Sequence, residues 1–350
     1  MALSANAILT KVRAMYGRRL TPENYAELLS CSSVSEVANY LNTNTQYNDV
    51  LSDLPTGYVK RNVLENALRK HLFIQFESIS HFEKAIGQEM YRYFIIRNEI
   101  DEIMSCIRLL KTPDKDEYLM KMPVFLNGLT TIDLFRLAKS QNFDDIIKSV
   151  SNTDYEKILV PLYPIDENIN FPAVEAALFK YLNEKTEELS KKSLPKKERE
   201  EFLFALRTVS DLKNITNVYR LKFIYKFSPE QIRNFVLAEV NSNIDPKKKQ
   251  KIIDAKDIEE FRQAVNSTCY GNDLKKITSY SNIENVCDKF LCEFASKKLR
   301  FSTYPAVVMF CWIILAENEI KNIIHLAEAI KYGIEQDEIK KLLIINREGE

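Results

Sequence analysis

Apolar residues recur at helical spacing around an acidic position that occurs three times in the chain. Glu99, Asp211 and Glu319 each have an apolar residue nine and five positions before them and one, four and seven positions after them. Those offsets lie on one face of an α-helix, so the pattern predicts three long helices of similar construction. The apolar positions are Met90, Phe94, Ile100, Ile103 and Cys106; Phe202, Leu206, Leu212, Ile215 and Val218; and Phe310, Ile314, Ile320, Ile323 and Leu326.

A second motif, of the form T-x-Y-x-x-x-L, also occurs three times. Its copies begin at residues 45, 153 and 268, which is 108 and then 115 residues apart, while the acids at 99, 211 and 319 are 112 and then 108 apart. Two markers with nearly the same period indicate a chain built from three repeats. We interpret both markers as structural marks of the repeat. The residues of the motif are Thr45, Tyr47 and Leu51; Thr153, Tyr155 and Leu159; and Thr268, Tyr270 and Leu274.

The periods predict three similar helical domains at residues 1–112, 113–227 and 228–350. Both boundaries fall where a helix stop meets a new helix start, at Thr112-Pro113-Asp114 and at Ser228-Pro229-Glu230. Neither boundary contains a Gly/Ser tract, so we expect the domains to pack closely.

Short helices precede each T-x-Y motif. Apolar spacing predicts a hairpin of two helices in the first repeat, around residues 25–29 and 34–41, and another in the second, around 134–137 and 146–150. In the third repeat the spacing predicts a single helix around residues 258–265. A last short helix is predicted over 337–345, after a helix that Gly333 closes.

The composition favours an all-α globular protein. The 350 residues include only 7 Gly and 11 Pro, with 45% hydrophobic and 28% charged residues. Lys plus Arg equals Asp plus Glu at 49 each, so no overall charge favours nucleic acid. The six cysteines form no paired framework, which favours the reducing cytoplasm. The longest apolar run, 306–316, is shorter than the roughly 20 residues that span a membrane, and it predicts a buried helix.

The sequence offers little chemistry. The glycines are too scattered for a phosphate-binding loop, and His71, His81 and His325 have no carboxylates at metal-ligand spacing, so we interpret them as surface or half-buried helix residues. The closest approach to the DDxxD motif of helical isoprenoid synthases, which begins at Asp144 and Asp145, has a lysine in place of the last carboxylate. We therefore expect no catalytic residue, no cofactor and no metal.

Two features remain open to a functional or a structural interpretation. Lys247-Lys248-Lys249 with Lys251 is a compact basic cluster that fits a solvated helix face, or alternatively a docking site for an acidic partner. The tyrosine of each T-x-Y motif fits core packing, with its hydroxyl bonded to the backbone, better than it fits three active sites.

These residues together resemble the C subunit of prokaryotic V-type (A-type) ATPases, whose eukaryotic equivalent is the d subunit. The resemblance rests on the segment 20–29, the three T-x-Y motifs, and the segment 317–323 followed by Lys331-Tyr332-Gly333-Ile334. It extends from about Asn6 to about Leu343. The chain departs from the pattern at Glu102, where the other repeats have asparagine, and at 327–329, where a basic residue is expected.

The resemblance implies a non-catalytic, all-helical funnel of three similar domains around a pseudo-threefold axis. Such proteins lie peripherally on the cytoplasmic side of the membrane. They bind the D and F proteins of the central stalk and the rotor ring of proteolipid subunits, and they transmit the torque that couples ATP hydrolysis or synthesis to proton or sodium transport. Neither nucleic acid nor a membrane span is implied.

Two other functions fit the composition. A free-standing helical-repeat adaptor or regulatory protein would share the low glycine content and the lack of chemistry, but would stack its repeats in a line. A helical synthase would need a carboxylate cluster facing a pocket.

Overall fold

The chain is all-α over the residues that the structure describes. The computed structural model describes residues 2–54, 57–85, 89–110, 123–126, 129–164, 168–236, 242–272, 274 and 283–345, and these ranges contain no β-strand. The α-helices are α1 (Ala2–Gly17), α2 (Pro22–Ser30), α3 (Val34–Asn44), α4 (Asn48–Leu51), α5 (Arg61–Ala85), α6 (Tyr91–Leu109), α7 (Leu134–Ala138), α8 (Phe143–Ser149), α9 (Asp154–Leu159), α10 (Phe171–Ser193), α11 (Lys196–Tyr219), α12 (Pro229–Phe235), α13 (Pro246–Asp254), α14 (Ile258–Asn266), α15 (Ile283–Phe301), α16 (Pro305–Lys331) and α17 (Gln336–Leu342). Two 3₁₀ turns (Val124–Leu126 and Val160–Leu162) and a π-helical turn (Arg220–Ile224) complete the elements.

The chain divides into two compact units. The first unit contains both ends of the chain, Met1–Gln88 and Cys292–Glu350, together with Asp116–Asn127. The second unit consists of Glu89–Lys115 and Gly128–Leu291. The three predicted domains were defined by sequence repeats, and they remain a prediction. Their first boundary, at residue 112, lies outside the described residues.

The core of the first unit is formed by residues from opposite ends of the sequence. Helices α1, α5 and α16 pack against one another, and α3 also packs against α16. Leu28 and Leu41, from the first hairpin, share one apolar cluster with Ile323 and Leu326 of α16. Each such side chain contributes about 1.5–3 kcal/mol when it is fully buried.

In the second unit, α10 packs against both α6 and α11, and α13 packs against α14. Its apolar cluster joins Leu212 and Ile215 of α11 with Ile252 of α13 and Phe261 of α14. Each unit therefore packs short helices against long ones.

The second helix of each hairpin begins in the same way. Its N-cap side chain accepts the backbone N–H three residues later, and the acid at that later position accepts the N–H of the residue before the cap. The N-caps and acids are Ser33 with Glu36, Asn142 with Asp145, and Asp257 with Glu260. The hairpins are therefore α2–α3, α7–α8 and α13–α14.

The prediction of a single helix in the third repeat was wrong. Helix α13 (Pro246–Asp254) precedes α14 and completes a hairpin there as well. Its only buried apolar residues are Ile252 and Ile253, since lysines occupy most of its other positions. So few apolar residues give too weak a periodic signal to predict a helix.

The long apolar run lies in α16 (Pro305–Lys331), and its residues from 306 to 315 are all buried, which confirms a buried helix. Gly333 follows at φ +67, a left-handed conformation that favours glycine, and confirms the predicted helix end. The final helix is Gln336–Leu342, shorter than predicted. Within the described ranges, no helix combines the length and apolarity that crossing a membrane requires.

Candidate functional site

Glu319, on α16, is the centre of a buried hydrogen-bonded cluster in the first unit. The Tyr47 hydroxyl donates to Glu319 Oε1 over 2.7 Å, and the backbone N–H of Leu20 donates to Oε2 over 2.8 Å. A longer bond of 3.5 Å comes from the Gln46 amide. One carboxylate thus connects the N-terminal hairpin to a helix almost 300 residues later in the chain.

Glu99, on α6, is the centre of a second cluster, in the second unit. Its Oε2 accepts the Tyr155 hydroxyl at 2.6 Å, and its Oε1 accepts the Thr131 hydroxyl at 3.0 Å. The backbone N–H of Thr131 also donates to Oε1. Glu99 is 1% exposed, so these donors replace the water that an ionised carboxylate would otherwise bind.

Asp211, on α11, is the centre of a third cluster, also in the second unit. Its Oδ2 accepts the Tyr270 hydroxyl at 2.9 Å and the backbone N–H of Asn243 at 2.9 Å. The Ser242 hydroxyl donates to Oδ1. The side chain is shorter than that of the two glutamates, yet it receives the same kinds of donor.

The three clusters share one plan. Each carboxylate accepts a tyrosine hydroxyl from a T-x-Y motif and a backbone N–H from the segment just before a hairpin. In the second unit the backbone donor lies 32 residues after the acid in both clusters, and the tyrosine lies 56 or 59 residues after it. In the first unit the order is reversed, because Leu20 and Tyr47 precede Glu319.

The threonine of each motif holds the turn that orients the tyrosine. Its Oγ1 accepts the tyrosine N–H two residues later, at 3.3, 3.2 and 3.2 Å in chain order, and its hydroxyl donates to a carbonyl of the preceding segment. Leu51, Leu159 and Leu274 are buried and anchor the end of each motif in the core. The acid and the tyrosine of each set thus meet in one cluster, the threonine is bonded to that tyrosine, and the leucine lies in the core.

The tyrosine hydroxyls do not have the backbone partner that we predicted from the sequence. Each donates to a carboxylate instead, from a ring that is 2% exposed. Spacing along the sequence does not reveal this pairing. The acid and the tyrosine are separated by at least 56 residues, and no local pattern links them.

Burial determines the electrostatics of the clusters. It raises the pKa of the Glu99, Asp211 and Glu319 carboxyls above the ordinary value, while the hydrogen bonds that they accept oppose this rise. Burial, together with the neighbouring acid, also raises the pKa of Tyr47 and Tyr155, and of Tyr270 in the same way. The phenols therefore stay protonated and act as donors.

A cavity of about 60 Å³, lined by both apolar and polar side chains, adjoins the Glu319 cluster and is large enough for a few water molecules. Gln46, His71 and Gln75 contribute polar groups to its lining. Gln75 Nε2 lies 2.7 Å from His71 Nε2 and 3.2 Å from Gln46 Oε1, so the glutamine amide connects the histidine to the cluster.

His71 contradicts its sequence-based interpretation, since it is buried at 4% exposure, whereas His81 is exposed and His325 half-buried as expected. Its Nδ1 lies 2.7 and 2.9 Å from the two oxygens of Asp49 and so donates to them, while Nε2 accepts from Gln75. This geometry fits a neutral ring with its proton on Nδ1. The four-residue spacing of His71 and Gln75 on α5 is the only sequence signal for this pair.

The clusters are suited to holding helices together rather than to holding a ligand. Their carboxylate oxygens already accept protein donors. Within the described ranges, no group of three or more His, Cys, Asp or Glu side chains could hold a metal ion.

Comparison with known proteins relates almost the whole chain to one family. The family described as "ATP synthase (C/AC39) subunit" matches residues 8–342. The C subunit of the A-type ATP synthase of Methanosarcina mazei is 22% identical over 343 residues, which cover 96% of this chain and 92% of that protein. Its counterpart in Methanobrevibacter smithii is 24% identical over 350 residues (95% and 86%), and that in Archaeoglobus fulgidus is 21% identical over 341 residues (97% and 95%).

Proposed function

Because this chain belongs to the ATP synthase (C/AC39) subunit family, we propose that it is a non-catalytic coupling component of a rotary ATPase. It links the central stalk, formed by the D and F proteins, to the membrane rotor ring of proteolipid subunits. It transmits the torque that couples ATP hydrolysis or synthesis to the transport of protons or sodium ions. It lies peripherally on the cytoplasmic side of the membrane. The observation that carries this proposal is the family match over residues 8–342.

The buried clusters support a mechanical role. A part that transmits torque must not bend under load, and close-packed interiors resist deformation. Each cluster ties a hairpin to a long helix through hydrogen bonds removed from solvent, so the hairpin cannot shift without exposing or orphaning a carboxylate. This is the type of joint that a rigid coupling part needs.

The chemistry of the clusters supports the absence of catalysis. A catalytic tyrosine needs a pKa near the working pH, and it needs access to substrate. Here the tyrosine pKa values are shifted further from neutrality, and Tyr47, Tyr155 and Tyr270 are 2% exposed.

We also propose that the chain forms three similar modules around a pseudo-threefold axis, in a funnel that receives the stalk. Each predicted domain, 1–112, 113–227 and 228–350, contains one acid and one T-x-Y motif, but the hydrogen bonds join the acid of one domain to the motif of another. We therefore define each module as the stretch of chain that runs from an acidic helix to the T-x-Y motif whose tyrosine donates to that acid. The module built on Glu319 then uses both ends of the chain.

Reconstitution of the membrane ATPase with and without this chain tests the function. ATP hydrolysis and ion transport are measured in the same vesicles. We expect the complex without the chain to lose transport while its catalytic head still hydrolyses ATP, and added chain to restore the coupling. Normal transport without the chain would exclude the coupling role and leave the adaptor function as the alternative.

A further inference from the structure

Helices α2 and α13, in different units, are built to the same plan. Each has nine residues and begins with a capping side chain, Thr21 or Asp245, followed by a proline. Each leads into the second helix of a hairpin. Leu28 and Leu29 are buried in α2, and residues 252 and 253, both isoleucine, are buried at the same positions of α13.

The exposed positions of the two helices carry opposite charges. Glu23 and Glu27 of α2 occupy the positions that Lys247 and Lys251 occupy in α13, and all four side chains are exposed. Asn24 of α2 is likewise replaced by lysine at 248. Since the helix forms with either charge, the fold does not require lysines at these positions.

Local helix energetics work against Lys247 and against the pairing of Lys247 with Lys251. The N-terminal turn of a helix carries a partial positive charge, which stabilises an acid such as Glu23 and destabilises a cation such as Lys247. Lys247 and Lys251 are four residues apart on one face, so their like charges also repel. Lys251 lies in the last turn, where the partial negative charge favours a cation, so helix stability accounts for Lys251 alone but not for Lys247 or for the pair.

Intramolecular ion pairs do not explain it either. Neither Lys247 nor Lys251 forms an ion pair with any residue in the described part of the chain. The two acids of this segment are already engaged, since Asp245 caps the helix at Lys247 N (2.9 Å) and Asp254 accepts from Arg233 (2.7 Å). By contrast, the exposed ammonium of Lys192, in another lysine-rich stretch, pairs with a glutamate one turn away.

We propose that Lys247 and Lys251, with Lys248 beside them donating to the Ser267 carbonyl, form a docking surface for an acidic segment of a partner protein in the complex. The proposal rests on the function proposed above, in which the chain works inside an assembly of several proteins. Two unpaired ammonium groups on a rigid, capped helix present positive charge that an aspartate- or glutamate-rich segment complements. The chain has no formal net charge, so this attraction is local.

The chemistry of α13 favours a protein over a membrane or a nucleic acid. Its apolar residues, Ile252 and Ile253, are buried, so no side chain of the helix is available for insertion among lipid chains. No aromatic residue occurs in the helix, so it offers no platform for base stacking. The positive charge of the exposed lysines is therefore the feature by which the helix can recognise a partner, and an acidic protein segment complements that charge.

The test uses the full chain and the membrane ATPase complex from which this chain has been removed. The variant is Lys247→Glu/Lys251→Glu, and the matched control is Glu23→Lys/Glu27→Lys on α2. We expect the variant to bind the stripped complex about tenfold more weakly, with a weaker dependence on salt, and the control to bind as the wild type does. A carbodiimide cross-link should join Lys247 or Lys251 to an aspartate or glutamate of one partner protein.

Thermal unfolding separates misfolding from lost binding: an acid at 247 lies in the first turn and favours the helix, whereas an acid at 251 lies in the last turn and opposes it, so a variant that melts as the wild type does has lost only the binding charge. Equal binding by variant and wild type, or an equal loss in the control, would overturn the docking surface alone. A loss confined to phosphatidylcholine–phosphatidylglycerol vesicles would replace the protein partner by a membrane. If the wild type itself fails to bind the stripped complex, the proposed function fails, and the docking surface with it.

Discussion

At the residue scale, the molecule is organised by three buried carboxylates that accept hydrogen bonds from neutral groups in their clusters. Burying an ionised carboxylate is costly unless hydrogen bonds replace its hydration. Glu99, Asp211 and Glu319 receive that replacement from tyrosine hydroxyls and backbone N–H groups. The tyrosine therefore matters for its hydroxyl as well as for its ring.

Removing the hydroxyl should weaken each cluster. Tyr155→Phe and Tyr270→Phe should destabilise the protein by about 1–3 kcal/mol each, because a buried acceptor loses a donor. Tyr47→Phe should lower the free energy of unfolding the most. The other side-chain donor to Glu319 is the Gln46 amide, and its 3.5 Å bond is longer than the corresponding bonds in the other clusters. Urea unfolding measures the effect, with Tyr58→Phe as the control because Tyr58 is 80% exposed. A loss in the control equal to that of the cluster variants would contradict the interpretation.

His71 should make the first unit sensitive to acid. Burial lowers its pKa below the ordinary value of 6.5, and Asp49 offsets this shift only in part. A lowered pKa means that the contribution of His71 to stability is complete above pH 6.5 and is lost as the pH falls through the folded-state value. The raised carboxyl pKa values act in the opposite direction, since their contribution is lost as the pH rises.

Comparison with His71→Asn separates these effects, because both proteins contain the same carboxyls and asparagine can still donate to Asp49. Between about pH 8 and pH 5, the wild type should lose more stability than the variant. Denaturant unfolding across this range provides the measurement. Parallel curves would show that His71 does not titrate in the way its geometry implies.

At the element scale, two of the long helices are followed by the same backbone conformation. Lys226, which follows the π-helical turn and precedes α12, has φ +59, and Gly333, which precedes α17, has φ +67. Lys226 thus adopts a left-handed conformation that glycine adopts at the corresponding place. Non-glycine residues pay a steric cost there.

Replacing Lys226 by glycine should stabilise the protein by about 1 kcal/mol, because the strain disappears. The converse change, Gly333→Ala, should destabilise it by a similar amount. No atom lies within 4 Å of a Cβ added at Gly333, so backbone strain is the only expected cause. Thermal unfolding of both variants tests the pair, and a melting point that falls for Lys226→Gly would refute the assignment.

Apolar spacing predicts helices correctly where apolar residues recur on every turn, and it fails where charged residues occupy most positions. The hairpins at α2–α3 and α7–α8 and the buried helix α16 were predicted from their apolar positions. Helix α13 was missed because only Ile252 and Ile253 carry its apolar signal. The repeated capping pattern, an N-cap followed three residues later by an acid, could have identified the hairpin from Asp257 and Glu260.

At the scale of the whole molecule, the two units differ in how the chain builds them. The first unit needs residues from both ends of the sequence, while the second lies between residues 89 and 291, apart from Asp116–Asn127, which belongs to the first unit. Leu28 and Leu41 share their cluster with Ile323 and Leu326, so the N-terminal part has an incomplete core without α16.

Fragments should therefore behave differently. A fragment of residues 89–291 should unfold cooperatively on heating, whereas a fragment of residues 1–88 should not, because it lacks Glu319 and α16. Circular dichroism during thermal unfolding measures both. A cooperative transition in the 1–88 fragment would show that the N-terminal segment folds without the C-terminal helix.

Local order was already specified by the residues themselves. Apolar spacing, proline positions and caps predict the all-α class, most of the helices and the threefold recurrence of two markers, because a helix depends on neighbours three and four positions away. The partner of each tyrosine is not a local property. Glu319 meets Tyr47 across 272 residues, and packing brings them together in a core that both ends of the chain must complete. Long-range contacts of this kind depend on the whole fold, which is why the pairs of acid and tyrosine emerged from the structure while their members were found in the sequence.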